Sequence, residues 1–256
     1  MLKKRLIGVV TVKDGWAVQS FGYHRYLPLG KPQWLVENLD RWGADEILVQ
    51  CIDRSQSKSG PDFDLLETLA GLGLGTPLIY SGGIASAEDG VKVVQAGADR
   101  IAVDSLLHDA PEVLSELGSK LGVQALVAAV PMRMRKKTPC WYEYRTRRDL
   151  PLSALGKVLG HGLASELLVI DCQNEGNAFA FDARLLDALP DWNMPLLVFG
   201  GISDVAQMQD LLARPCVAAV GVGNFLSYRE LAIQQFKKTL ASSALRPALY
   251  AADFPH

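Results

Sequence analysis

"PLIYSGGIAS" at 77–86 and "PLLVFGGIS" at 195–203 are nearly one phrase written twice. In each, an apolar run ends in two adjacent glycines and the chain then turns polar. Paired glycines after a buried strand mean that the backbone turns tightly or comes close to something. A phosphate held by backbone N–H groups is one candidate guest, and an ordinary strand-to-helix turn would use the same residues. Because the phrase recurs in the second half of the chain, the question becomes what else recurs.

Short Val-, Ile- and Leu-rich runs mark strands near 5–12, 46–52, 77–81, 99–104, 124–130, 166–172, 195–199 and 217–222. Helical patterns lie between them, as in "PQWLVENLDRWG" (32–43), "AEDGVKVVQAG" (87–97), "APEVLSELGSKLG" (110–122) and "YRELAIQQFKKTLA" (228–241). Eight strand-helix units over about 240 residues is the rhythm of a closed parallel barrel, with a doubly wound open sheet as the alternative. "ADEILVQCID" (44–53) parallels "ASELLVIDCQ" (164–173), and "GADRIAVDS" (97–105) parallels "PCVAAVGVG" (215–223). The expected architecture is therefore an α/β protein, a (β/α)8 TIM barrel over 1–241. It is built from two half-barrel repeats, about 1–122 and 123–241, and followed by a peripheral tail, 242–256.

The 256 residues are 49% hydrophobic and 21% charged with a formal net charge of −2, so the chain buries a core and does not call for nucleic acid or an anionic membrane. Cys51, Cys140, Cys172 and Cys216 lack the spacing of a zinc site or disulfide frame, which suits reduced thiols in a cytoplasmic protein without metal. The start, "MLKKRLIGVV", lacks the long apolar region of a signal peptide, and no run of about 18 apolar residues suggests a membrane span.

In a parallel barrel, chemistry gathers where strands end. Gly82 and Gly83 follow the third strand, Ser105 the fourth, Gly200 and Gly201 the seventh, and Gly223 the eighth. Two such cradles, one per half, would suit a ligand with a phosphate at each end. Asp104, beside the first, would weaken it by like-charge repulsion.

"MLKKRLIGVVTVKDGWAV" (1–18), "GADEILV" (43–49), "SGGI" (81–84), "AGADRIAV" (96–103), "QALVAAV" (124–130) and "FGGIS" (199–203) resemble the HisF/HisA family, and within it the HisF type. HisF is the cyclase subunit of imidazole glycerol phosphate synthase. The resemblance implies a barrel whose top binds a bis-phosphate nucleotide intermediate and whose foot docks a glutaminase, HisH, that sends ammonia through the barrel. It also implies two carboxylates at the tips of the first and fifth strands, one to give and one to take a proton. Those positions here are Thr11 and Pro131, and neither side chain can do that work. The family's lysine after strand one is Gln19, and its acid at the second strand tip is Cys51. No catalytic residue is assigned; Asp53 and Glu175 remain as acid candidates.

At the other end, the family's ring of alternating charges around the ammonia entrance maps onto Arg5, Glu46, Arg100 and Glu166, with every sign kept. A ring of this kind acts as an ammonia gate or only as a stabilising ion-pair network. Two top-side segments stand out. The aromatic loop "FGYHRYLPLGKP" (21–32) is expected to be a flexible lid, and "RYLPLGKP" within it resembles HisF-type proteins associated with surface-glycan (lipopolysaccharide) synthesis. "PMRMRKKTPCWYEYRTRRDLP" (131–151) reads as a basic hairpin that either attracts an anion or merely covers the core. His24, His108, His161 and His256 have neither nucleophile nor ligand spacing.

The resulting expectation is a HisF-like subunit without cofactor. It would pair with a HisH-like glutaminase and pass ammonia to the amidation of a phosphorylated or nucleotide-linked sugar, with a separate sugar amidotransferase as acceptor. An active cyclase of histidine biosynthesis and a phospho-ligand-binding barrel without a partner are the alternatives.

Overall fold

A computed structural model of the chain describes residues 3–159, 162–228, 231–240 and 245–247. The first half runs β1 (Arg5–Lys13), β2 (Trp16–Phe21), β3 (Arg25–Gly30), α1 (Pro32–Arg41), β4 (Glu46–Cys51), α2 (Arg54–Ser57), α3 (Phe63–Ala70), β5 (Leu78–Ser81), α4 (Ala87–Gln95), β6 (Arg100–Val103), α5 (Ser105–Asp109) and α6 (Val113–Leu121). The second runs β7 (Leu126–Arg135), β8 (Thr138–Glu143), β9 (Arg148–Leu150), α7 (Leu152–Leu159), β10 (Glu166–Asp171), α8 (Arg184–Asp187), β11 (Leu196–Phe199), α9 (Val205–Ala213), β12 (Val217–Val222) and α10 (Ala232–Leu240).

Eight of these strands pair in parallel in the order β10-β11-β12-β1-β4-β5-β6-β7, and β7 pairs back onto β10. The sheet is thus closed, as expected for a (β/α)8 barrel, and the open alternative falls away. All eight strands stand where the apolar runs place them, because strands covered on both faces need apolar side chains in both directions. An inner cluster including Ile7, Leu48, Ile79, Val127, Leu168 and Leu197 fills the lumen. A second cluster lies between strands and helices, for example Leu6, Val49, Tyr80, Val169 and Ile233. Local signals set the helix starts. Ser86 and Asp89 form a reciprocal capping box at α4, and Asp204 accepts from Gln207 N at α9.

The remaining four strands form two antiparallel excursions, β2–β3 off the end of β1 and β8–β9 off the end of β7. They leave from the first strand of each half. The β7–β8–β9 excursion is the hairpin expected from 131–151. The 21–32 segment differs from the flexible lid expected of it. It contributes β3, paired along its length with β2, because Val18, Gln19 and Ser20 are buried beneath it and the chain must pair its backbone there.

The tail expectation also changes for the part that is described. Leu245 is buried and bridges Lys4 in parallel, and Arg246 N donates to Lys4 O. That segment is part of the barrel foot. Residue 241, residues 242–244 and 248–256 of the tail, and His161 lie outside the described residues. Among the described residues no helix is long and apolar enough to cross a membrane, and Cys51, Cys140, Cys172 and Cys216 are free thiols.

Candidate functional site: the two ends of the barrel

At the foot, Arg5 opens β1, Glu46 opens β4, Arg100 opens β6 and Glu166 opens β10. Their side chains close into one ring. Arg5 Nη1 lies 2.8 Å from Glu46 Oε1, and Arg5 Nη2 also bonds Glu166 Oε1. Arg100 Nη1 lies 2.6 Å from Glu166 Oε2 and 3.4 Å from Glu46 Oε1. All four are largely buried, with side-chain exposures of 7–13%. Burial raises the Glu46 carboxyl, opposed by Arg5 and Arg100. Glu46 Oε2 is buried without a hydrogen-bond partner. Ser165 and the Gln124 carbonyl hold Arg100 from outside. The ring sits in a concavity of about 1410 Å³, which Lys4, Leu245 and Arg246 also line. Lys4 Nζ donates to the carbonyls of Arg214 (3.0 Å) and Val217.

Above the apolar lumen lies a cavity of about 640 Å³. Thr11 is buried near it, and Gln50 Nε2 donates to its Oγ1 at 2.7 Å. The Tyr23 hydroxyl meets the same amide, 3.4 Å from Gln50 Oε1. Pro131 lines the cavity directly. Its missing N–H is tolerated because Met132 O already bonds Cys172 N on the β10 side, so the Pro131 nitrogen faces the opposite flank. There pairing with β6 has ended at Val103 and Ala128. Burial pushes the Cys51 and Cys172 thiols up to about 12, so neither is a nucleophile near neutral pH.

The carboxylates of this end are engaged by the chain itself. Glu175 is buried and accepts from Ser20 Oγ (2.9 Å) and Tyr23 N (3.4 Å), which pins the β2–β3 excursion. Burial raises its carboxyl against those bonds. Asp53 accepts from Asp14 N at 3.1 Å, and neither Asp53 nor Glu175 lines the upper cavity. Asp171 accepts from Asn174 N, Asn174 Nδ2 and Asp182 N. Asp104 does line the cavity, and its Oδ1 accepts from Ser105 N at 2.5 Å. Tyr144 on the hairpin lines the cavity together with Asp104 and Ser55, and burial raises both Tyr144 and Asp104. No residue pattern announces Ser55 and Tyr144, since they meet only in the folded chain.

The first glycine of each phrase is crowded in the same way, and the second is crowded by a neighbouring loop in both. A Cβ on Gly82 would lie 2.4 Å from Cys51 O, and one on Gly200 would lie 2.5 Å from Asp171 O. A Cβ on Gly83 would meet Gly60 O at 2.2 Å, and one on Gly201 would meet Phe181 N at 2.8 Å. Each pair also needs positive φ, so the crossing of neighbouring loops alone demands glycine at all four positions. In the first half, Gly83 N already donates to Ser55 Oγ at 3.1 Å. Gly223 packs on the Phe199 ring.

His24 lines the upper cavity, whereas His108 stacks on Trp141 with ring centroids 3.9 Å apart and is lowered by burial to about 4. Among the described residues no group of His, Cys, Asp and Glu could hold a metal ion.

The family model described as "Histidine biosynthesis protein" matches residues 5–232. A Vibrio vulnificus (strain YJ016) protein provisionally named imidazole glycerol phosphate synthase subunit hisF2 is 28% identical over 90% of this chain and 85% of its own length. Imidazole glycerol phosphate synthase subunit HisF of Exiguobacterium sp. is 26% identical over 96% of both chains. HisF of Bacillus subtilis (strain 168) is 26% identical over 94% of this chain and 97% of its own. With the closed barrel and a match over nearly its whole length, the chain belongs to the histidine biosynthesis protein family, on its HisF-like side.

Proposed function

We propose that this barrel pairs with a HisH-like glutaminase at its foot and conducts ammonia to the upper cavity, for amidation of a phosphorylated or nucleotide-linked sugar by a separate amidotransferase. In this reading the cyclase acid-base pair is lost. The observation that carries it is the contrast between the closed ring Arg5–Glu46–Arg100–Glu166 below an apolar lumen and the absence of a free carboxylate at Thr11 and Pro131 above it. A ring of desolvated opposite charges excludes water yet leaves Glu46 Oε2 as an acceptor for an entering N–H donor. The surface-glycan association rests on resemblance within 25–32.

The test is turnover. Each missing general acid or base removes typically about 10² to 10⁴ in rate. Purified protein with ammonium salts should therefore leave the bis-phosphate nucleotide intermediate of histidine biosynthesis unconverted. The same protein should raise the glutaminase activity of its HisH-like partner. Turnover within tenfold of an authentic HisF returns the chain to cyclase function.

A further inference from the structure

The upper cavity has a wall of arginines that stands apart from the glycine phrases. Arg133, Arg135 and Arg147, all from the β7–β8–β9 hairpin, line it beside Tyr23, Tyr26 and Tyr142. Arg133 lies over Tyr142, its guanidinium carbon 3.7 Å from the ring centroid. Asp149 engages Arg133 at 2.6 Å and Arg135 at 2.9 Å, in both cases through Nε, which leaves their terminal nitrogens to point elsewhere. Arg147 is exposed at the β8–β9 turn, and its side chain makes no ion pair or hydrogen bond among the described residues. The hairpin is fixed in place. Arg145 spans Asp109 and Glu143, and Tyr144 lines the cavity together with Asp104.

At the first glycine phrase, by contrast, two nearby backbone donors are already engaged. Gly83 N is taken by Ser55 Oγ and Ser105 N by the Asp104 carboxylate.

We propose that the phosphoryl group of the ligand is bound by the side chains of Arg135 and Arg147, backed by the stacked Arg133, on the hairpin wall of the upper cavity. This rests on the reading of that cavity as the acceptor chamber. Guanidinium forks suit phosphate oxygens bidentately, and an arginine laid on a tyrosine is already ordered before the ligand arrives. The tyrosines around the wall leave space for a sugar or base next to the phosphoryl group, so the ligand class is a sugar phosphate or nucleoside diphosphate.

Calorimetric titration of the full chain with pyrophosphate, orthophosphate and uridine diphosphate tests this without any glutaminase, so its outcome is independent of the conduit. Arg135→Gln with Arg147→Asn, the latter suited to the positive φ of 57° at that turn, should weaken pyrophosphate binding by about tenfold or more. Lys136→Gln with Lys137→Gln removes the same charge from the same hairpin outside the cavity, and should change it by less than about twofold. Tighter binding of uridine diphosphate than of pyrophosphate marks a nucleotide source; equal binding marks a simple phosphoryl group, and both agree with the wall. Failure of wild type to bind pyrophosphate at millimolar concentration overturns the proposal. So does equal weakening by the lysine pair, or no weakening by the arginine pair.

Discussion

The carboxylates at the foot of this barrel and those at its strand tips are held differently, while the hairpin at the top has ion pairs of its own, such as Asp149 with Arg133 and Glu143 with Arg145. At the foot, carboxylates meet cations: Glu46 and Glu166 meet Arg5 and Arg100, and buried Asp45 meets buried Lys237 at 2.7 Å. At the strand tips, Asp104, Asp171 and Glu175 are consumed largely by backbone N–H groups of the loops that carry or touch them. An acid that holds its own loop cannot exchange protons with a guest without loosening that loop. The difference teaches that presence of an acid near a strand tip is a poor guide to catalysis unless its oxygens are free to face the cavity.

The foot should be the brittle end. Lys237→Ala leaves Asp45 buried beside Leu6 N with no cation, and should cost about 3–5 kcal/mol in urea unfolding. A loss below about 1 kcal/mol would erase the contrast from that side.

The top has one acid worth a comparable amount, and it lies in the hairpin. Burial works against the Glu143 carboxylate, but bonds from Thr146 and Arg145 hold it down to about 2, against an ordinary 4.5. A carboxyl depressed in the folded state stabilises above its unfolded value and loses that contribution as pH falls toward the folded one. Stability should thus drop by about 2–3 kcal/mol between pH 4.5 and 2, and Glu143→Gln should flatten that part of the pH profile. An unchanged acid limb in the variant would show that the hairpin is not held this way.

Smallest of all should be the change at the position of the family's first acid. Thr11→Val leaves Gln50 Nε2 without its 2.7 Å acceptor but keeps the shape, at a cost of about 1 kcal/mol. Melting the two variants side by side sharpens the comparison. If Thr11→Val destabilises as much as Lys237→Ala, the neutral strand tip is built as rigidly as the charged foot.

Much of this fold is readable from the chain because parallel strands buried on both faces leave uninterrupted Val, Ile and Leu runs, such as "EILVQC" and "ELLVID". The foot ring is legible only through the resemblance to the HisF type, and the structure shows that each member opens a strand. The β2–β3 excursion is not readable, because "RYLPLG" mixes Pro, Gly and exposed Leu27 and shows no clean alternation. The placing of Tyr144 beside Asp104 on one cavity wall is equally hidden: it depends on a hairpin some forty residues downstream folding back toward α5. The glycine phrases sit between these cases. Their recurrence reveals the repeat, while the crowding at Cys51 O and Asp171 O that demands them is a property of neighbouring loops in space.

The most direct measurement on the central claim is sedimentation of the full chain with its HisH-like glutaminase, alongside glutaminase assays on the same samples. The ring at the foot predicts a 1:1 complex with raised glutamine hydrolysis. Glu46→Ala should keep the barrel folded, because Glu166 still partners both arginines, yet uncouple hydrolysis from delivery of ammonia to the top. Absence of a complex, or a Glu46→Ala variant that delivers ammonia as well as wild type, would contradict the conduit and leave the ring as an ion-pair brace.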